Sequence, residues 1–234
     1  MNQEPSLVVI ASTMRSGSTL LKALLAEAED VLSLPETNFQ NPRIVGRVIE
    51  QHVANDPPIK LLKKPCWYQE TKSYPRLPVE PGTKTVALVR DVYDTVVSLR
   101  KMTFRWFAPA FAPMVTSWLG RSYWTRVTRS LVELADSDPT NVQLIRYEDL
   151  VENPVEKTAD LYRFIGSQKE EGTKTYSAPE NYSWRWGSDD GSPNIRSLEV
   201  QPPRKKVRDD KRIIQLMQND ESIAKLRARL EYVD

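Results

Sequence analysis

The chain has one cysteine, one histidine and no long apolar run, and each scarcity removes a class of function. A single thiol, Cys66, excludes an internal disulfide, and with His52 as the only imidazole a Cys/His zinc cluster cannot be assembled. No apolar stretch approaches the ~20 residues that a membrane-spanning helix needs. The N-terminal Met-Asn-Gln-Glu-Pro lacks the basic flank and apolar core of a secretory signal, which predicts a cytoplasmic chain without membrane contact. An excess of charge is missing too. With 33 basic residues against 31 acidic ones, no global field points to nucleic acid, and any anion site must be local.

What is present is a chain of 234 residues, enough for one α/β domain over residues 1–234 with an ample core. Short apolar strands are expected at 7–11, 59–63, 85–89 and 142–145, and helical patterns cover 18–28, 43–53, 92–101, 114–135 and 154–165. The alternation implies a mostly parallel central sheet flanked by helices, with ligands bound beyond the carboxyl ends of the strands. Residues 166–203 show little periodicity, and 208–233 read as a closing helix with Ile213, Ile214, Leu216, Met217, Ile223, Leu226 and Leu230 as apolar positions.

The first strand runs directly into Met14-Arg15-Ser16-Gly17-Ser18-Thr19-Leu20-Leu21. A strand passing through a tight basic turn into a helix presents free backbone N–H groups at the positive end of the helix dipole, which is a seat for phosphate. Arg15 adds a planar fork of donors, Gly17 lets the backbone approach a ligand closely, and Ser18 and Thr19 bring hydroxyls. The plain alternative is an ordinary turn with a capping serine. The nucleoside-triphosphate loop, Gly-x-x-x-x-Gly-Lys-[Ser/Thr], is not met, because Ser12 stands at its first glycine and Ser18 at its lysine.

A second strand ends in the same manner, in Arg90-Asp91-Val92-Tyr93-Asp94, with Ser98 two turns into the helix that follows. Arg90 and Ser98 can both face the crevice and offer a charge-assisted fork and a hydroxyl to one phosphate. Taken alone, Arg90 can equally pair with Asp91 or Asp94, and Ser98 can be a small residue at a helix contact. A third segment, Arg146-Tyr147-Glu148-Asp149-Leu150-Val151-Glu152-Asn153-Pro154, places Asn153 to cap a helix begun by Pro154, with Gly166 suited to its left-handed end.

These three segments, in this order, resemble sulfotransferases that use 3′-phosphoadenosine 5′-phosphosulfate, PAPS. The first is similar to that family's 5′-phosphosulfate loop, Lys or Arg followed by Ser-Gly-[Thr/Ser]-Thr. The second resembles its 3′-phosphate segment, Arg-[Asn/Asp]-Pro-x-Asp-x-x-x-Ser, with Val92 in place of the proline, and the third its Arg-Tyr-Glu-Asp-Leu segment. The resemblance spans about residues 7 to 166. It implies a P-loop NTPase-like sulfotransferase fold and a nucleotide held by Arg15, Ser16, Gly17, Ser18, Thr19, Leu20, Arg90 and Ser98. Arg204 and Lys205 lie where the family closes a basic loop over the 3′-phosphate, although the usual Arg-Lys-Gly spelling is absent and a solvated charge run fits as well. No metal is implied, since fixed cations and helix dipoles suffice for a sulfuryl group.

Sulfuryl transfer needs a base for the acceptor and a cationic clamp for the charge growing on the leaving phosphate. His52, inside a helical pattern, does not match the histidine base of many cytosolic members. Glu36, in Ser33-Leu34-Pro35-Glu36-Thr37-Asn38-Phe39, resembles the glutamate base of the heparan and tyrosylprotein branches. Lys63 resembles the lysine that many members place two positions before a strand-ending proline, and strand alternation sends Lys64 to the other face. Arg15, Glu36 and Lys63 are therefore the expected catalytic set, against a reading in which Glu36 and Lys63 are merely solvated. Residues 167–208 are expected to supply a substrate lid, with Tyr176 and Trp184 among its aromatic surfaces, and a nucleotide-closing loop, although an ordered loop packed on the core fits the aromatic segment equally. The implied acceptor is a hydroxyl or an amine or guanidinium nitrogen of a small molecule, such as a natural product of secondary metabolism. A P-loop kinase of a small metabolite and a noncatalytic nucleotide-binding protein stay open as alternatives.

Overall fold

A computed structural model describes residues 6–36, 41–50, 58–74, 83–103, 109–178, 195–202 and 208–232. The run Leu7-Val8-Val9-Ile10-Ala11 has no polar face, as a strand covered on both sides requires, and it forms the centre of β1 (Ser6–Thr13). Beside it lie β3 (Ile59–Cys66) and β4 (Lys84–Val89), and β2 (Val31–Ser33) and β5 (Val142–Arg146) form the edges. All pairings are parallel, in the order β2-β3-β1-β4-β5. The chain moves outward from β1 to β2, returns through β3 and crosses to β4, so the carboxyl end of β1 is the point where the winding reverses. That is where an open α/β sheet binds its ligand.

Alternation along the strands divides the apolar side chains between two layers. Val8, Ile10, Leu61 and Val86 pack with α1 (Ser18–Leu25), α6 (Tyr147–Glu152) and α7 (Pro154–Ile165). Val9, Ala11, Leu62 and Ala87 pack with α3 (Val92–Thr103), α5 (Thr125–Ser137), α8 (Lys211–Asn219) and α9 (Glu221–Arg229). Each leucine-sized side chain buried this way contributes ~1.5–3 kcal/mol.

Four strands lie where the sequence predicts them. β2 is additional, its three residues being too few to show a period. The helix expected over 43–53 begins as α2 (Pro42–Glu50), and His52 lies outside the described residues. The single helix expected over 114–135 is a rod with a wide middle: α4 (Ala112–Ser117), a π-helical stretch Trp118–Trp124, then α5. The closing helix is two helices, because Asp220 ends α8 and its carboxylate caps α9 by accepting from the Ile223 N–H at 3.1 Å. Asn153 stands at the start of α7 but its side chain makes no capping bond. Pro154 and a left-handed Gly166 (φ 78°) delimit that helix as expected.

Candidate active site

The loop after β1 is held in an unusual shape. Arg15 has φ 66° and Gly17 φ 94°, both in the left-handed region, which costs a non-glycine residue of order 1–2 kcal/mol. Tertiary bonds fix it from several sides. The Met14 N–H donates to the Tyr123 hydroxyl at 2.8 Å, and that hydroxyl donates to the Cys66 carbonyl at 2.7 Å, tying the loop to the end of β3. The Ser16 hydroxyl donates to the Thr13 carbonyl at 2.8 Å. Gly17 then heads α1 with no side chain capping its first turn. A Cβ there would lie 2.3 Å from the Tyr147 ring, so the glycine also makes room for Tyr147.

The two expected phosphate segments meet at this loop. Arg15 Nε donates to Ser98 Oγ on α3 at 2.9 Å, and Arg90 Nη1 donates to the Arg15 carbonyl at 2.9 Å. Arg90 lies over the Tyr147 ring at 4.4 Å and faces Asp94 at 3.9 Å, while its carbonyl accepts from Trp124 Nε1 at 2.8 Å. The buried Arg90 Nε has no hydrogen-bond partner among the described residues.

On the other side of β1, Lys63 donates from Nζ to Thr19 Oγ1 at 2.8 Å and lies 3.6 Å from Glu36 Oε2. Lys64 points to the opposite layer, where it pairs with Glu70, whose other oxygen accepts from the Trp67 N–H at 3.0 Å. Alternation along β3 thus sends Lys63, and not Lys64, to the loop. A third lysine completes the group: Lys22 of α1, 4% exposed, donates from Nζ to the Leu34 carbonyl. Burial first and Lys63 second push it down to about 8, and Glu36 acts in the opposite direction. Arg15, Ser16, Gly17, Ser18, Thr19, Lys63, Glu36, Arg90 and Ser98 therefore line one strand-end region, with Leu20 packed on the layer beneath.

Comparison with known proteins agrees with this geometry. The sulfotransferase domain model matches residues 5–179, three-quarters of the chain. The chain belongs to the sulfotransferase family. The chemistry of the family is sulfuryl transfer. A sulfotransferase domain from the curacin biosynthetic pathway superposes with a TM-score of 0.63 at 17% identity, covering 99% of each chain. One from the olefin synthase of Synechococcus PCC 7002 gives 0.65 at 18%, covering 100% of this chain and 98% of that one. Mouse sulfotransferase SULT7A1, solved with PAP, gives 0.52 at 14%, covering 100% and 91%. At these identities the likeness is one of fold. Among curated proteins no match is found.

The third motif of this sulfotransferase is a clasp for its C-terminal helices. Glu148 accepts from the Asp91 N–H at 3.1 Å and from the Tyr232 hydroxyl at 3.1 Å, and burial holds its carboxyl above the ordinary range. Arg146 pairs with Asp149 and donates to the Leu230 carbonyl at 2.8 Å. Asp91, 1% exposed, takes Arg227 Nε at 3.1 Å and Arg208 at 3.5 Å, so it is not the partner of Arg90. Arg204, Lys205 and Trp184 lie outside the described residues. Tyr176, expected in the lid, is instead core: 4% exposed, it donates from its hydroxyl to the Ile195 carbonyl at 3.0 Å. Among the described residues no helix is long and apolar enough to cross a membrane, and no cluster of His, Cys, Asp and Glu is placed to hold a metal.

Sequence reasoning missed Lys22, Tyr123 and Tyr147. Lys22 left one signal, a lysine within the buried apolar series Leu21-Ala23-Leu24-Leu25. Tyr147 stands in the third motif without a role being read for it, and Tyr123 left no signal, since it reaches Met14 across 109 residues of chain.

Proposed function

We propose that this sulfotransferase moves a sulfuryl group from PAPS to a hydroxyl or an amine or guanidinium nitrogen of a small molecule, with a natural product as the favoured class. The convergence of Arg15, Lys63 and Arg90 with Glu36 at the carboxyl ends of β1, β3 and β4 carries this reading. The residues fit the nucleotide on two counts: the first turn of α1 has no side-chain cap, and the buried Arg90 Nε lacks a partner that a phosphate oxygen would supply. Bound PAPS would supply the sulfuryl group and a phosphate leaving group.

In this reading the Ser18, Thr19 and Leu20 N–H groups, with Arg15 and Lys63, hold the charge that grows on the 5′-phosphate. Arg90 and Ser98 hold the 3′-phosphate, and the Arg15–Ser98 bond links the two ends of the clamp. Glu36 takes the proton from the acceptor as it attacks sulfur. Lys63, bonded to Thr19 and paired with Glu36, keeps the base beside the loop. A cytoplasmic location belongs to this same proposal.

Incubating the protein with PAPS and a panel of small hydroxylated and amine-bearing acceptors, read by the mass gain of one sulfuryl group, tests the reaction. Glu36→Gln is expected to lower turnover by ~10²–10⁴ and leave nucleotide affinity nearly unchanged. Unchanged turnover would remove Glu36 from the mechanism.

A further inference from the structure

Lys22 has no part in the reaction described above, yet it is a charge buried to 4% exposure close to the expected base. It projects from the second turn of α1 and its Nζ donates to the Leu34 carbonyl. Leu34 is the residue through which β2 leads to Glu36. Its N–H already donates to the Leu61 carbonyl of β3 at 3.0 Å, and its side chain is 1% exposed. Pro35 follows and has no N–H to anchor the chain further. The backbone that delivers Glu36 is therefore pinned at Leu34 from two sides, by β3 through its N–H and by Lys22 through its carbonyl.

The charge of Lys22 matters as well as its bond. The charged groups acting on it are Lys63 of β3 and Glu36 beyond β2. Lys63 pairs at 3.6 Å with the Glu36 carboxylate, a quarter exposed, and both act on the Lys22 charge. We propose that Lys22 is a positioning residue for Glu36, holding the Leu34-Pro35 turn in place and keeping a cation behind the carboxylate. This rests on the reading of Glu36 as the base, and extends it to a residue that touches neither nucleotide nor acceptor.

The test is a double-mutant cycle on the full chain, with Lys22→Met, Glu36→Gln and the pair, each measured for turnover with PAPS across pH and for affinity for 3′-phosphoadenosine 5′-phosphate. Methionine keeps the buried length of the lysine stem and is expected to fold. Lys22→Met is expected to lower kcat about tenfold and to change nucleotide affinity less than about threefold. In the pair the loss is expected to be no larger than in Glu36→Gln alone. Lys22→Arg, which keeps the charge and a donor for the Leu34 carbonyl, should return kcat toward the wild-type value and also serves if the methionine variant fails to fold. Losses that multiply in the pair, or a nucleotide affinity that falls as far as kcat, would overturn the role of Lys22. Full turnover in Glu36→Gln would overturn the base assignment itself.

Discussion

At the scale of single residues, the site depends on side chains and backbone angles that the surrounding structure forces. Gly17 combines φ 94° with a Tyr147 ring that leaves no space for a Cβ. Gly17→Ala is expected to destabilise the protein by ~1–3 kcal/mol and to weaken nucleotide binding, since the ring that must move also carries Arg90. Thermal unfolding with and without 3′-phosphoadenosine 5′-phosphate measures both. Lys22 makes a separate prediction about pH. Its ordinary value is 10.5 and in the fold it is lowered to about 8, so between these values the unfolded chain binds a proton that the folded chain has released. Stability therefore rises with pH through that window, by at most ~3 kcal/mol. Lys22→Met should show no such rise in urea denaturation from pH 7.5 to 10, whereas an identical slope in both proteins would contradict the burial of this charge.

At the scale of elements, the π-helical stretch Trp118–Trp124 and the two C-terminal helices α8 and α9 hold the strand ends in place. One wide turn delivers the Tyr123 hydroxyl to Met14 and the indole N–H of Trp124 to Arg90. Removing the Tyr123 hydroxyl as Tyr123→Phe strands the buried Met14 N–H and is expected to cost ~1–3 kcal/mol, read by urea denaturation. The α9 residue Arg227 neutralises Asp91 where β4 meets α3. Arg227→Met is expected to cost about 3 kcal/mol, with Arg208 limiting the loss, and the double change with Asp91→Asn less than the sum of the two. These contacts explain what the sequence could and could not disclose. Arg15, Arg90 and Ser98 were legible because strand, turn and helix spell them locally, and Lys63 because a period of two separates it from Lys64. Tyr123, Tyr147 and Arg227 act across long separations that no local pattern records. The break at Asp220 was missed because the apolar positions of α8 and α9 continue through it with a helical period.

At the scale of the molecule, the order β2-β3-β1-β4-β5 sets Lys63 and Arg90 on either side of the loop that β1 opens. The alternation of short apolar strands with helical patterns was enough to read a parallel α/β sheet, and the motifs at its strand ends were enough to bring Arg15, Lys63, Arg90 and Ser98 to one region. The acceptor was not legible, because nothing in the motifs expected to bind a nucleotide distinguishes one nucleophile from another. The central claim is that this clamp takes a nucleotide phosphorylated at both 3′ and 5′ positions without a metal. Titration calorimetry with 3′-phosphoadenosine 5′-phosphate in the presence of EDTA tests it most directly. Saturable binding in the wild type that is lost in Arg90→Ala is expected, and binding of Mg-ATP in preference to this nucleotide would contradict it.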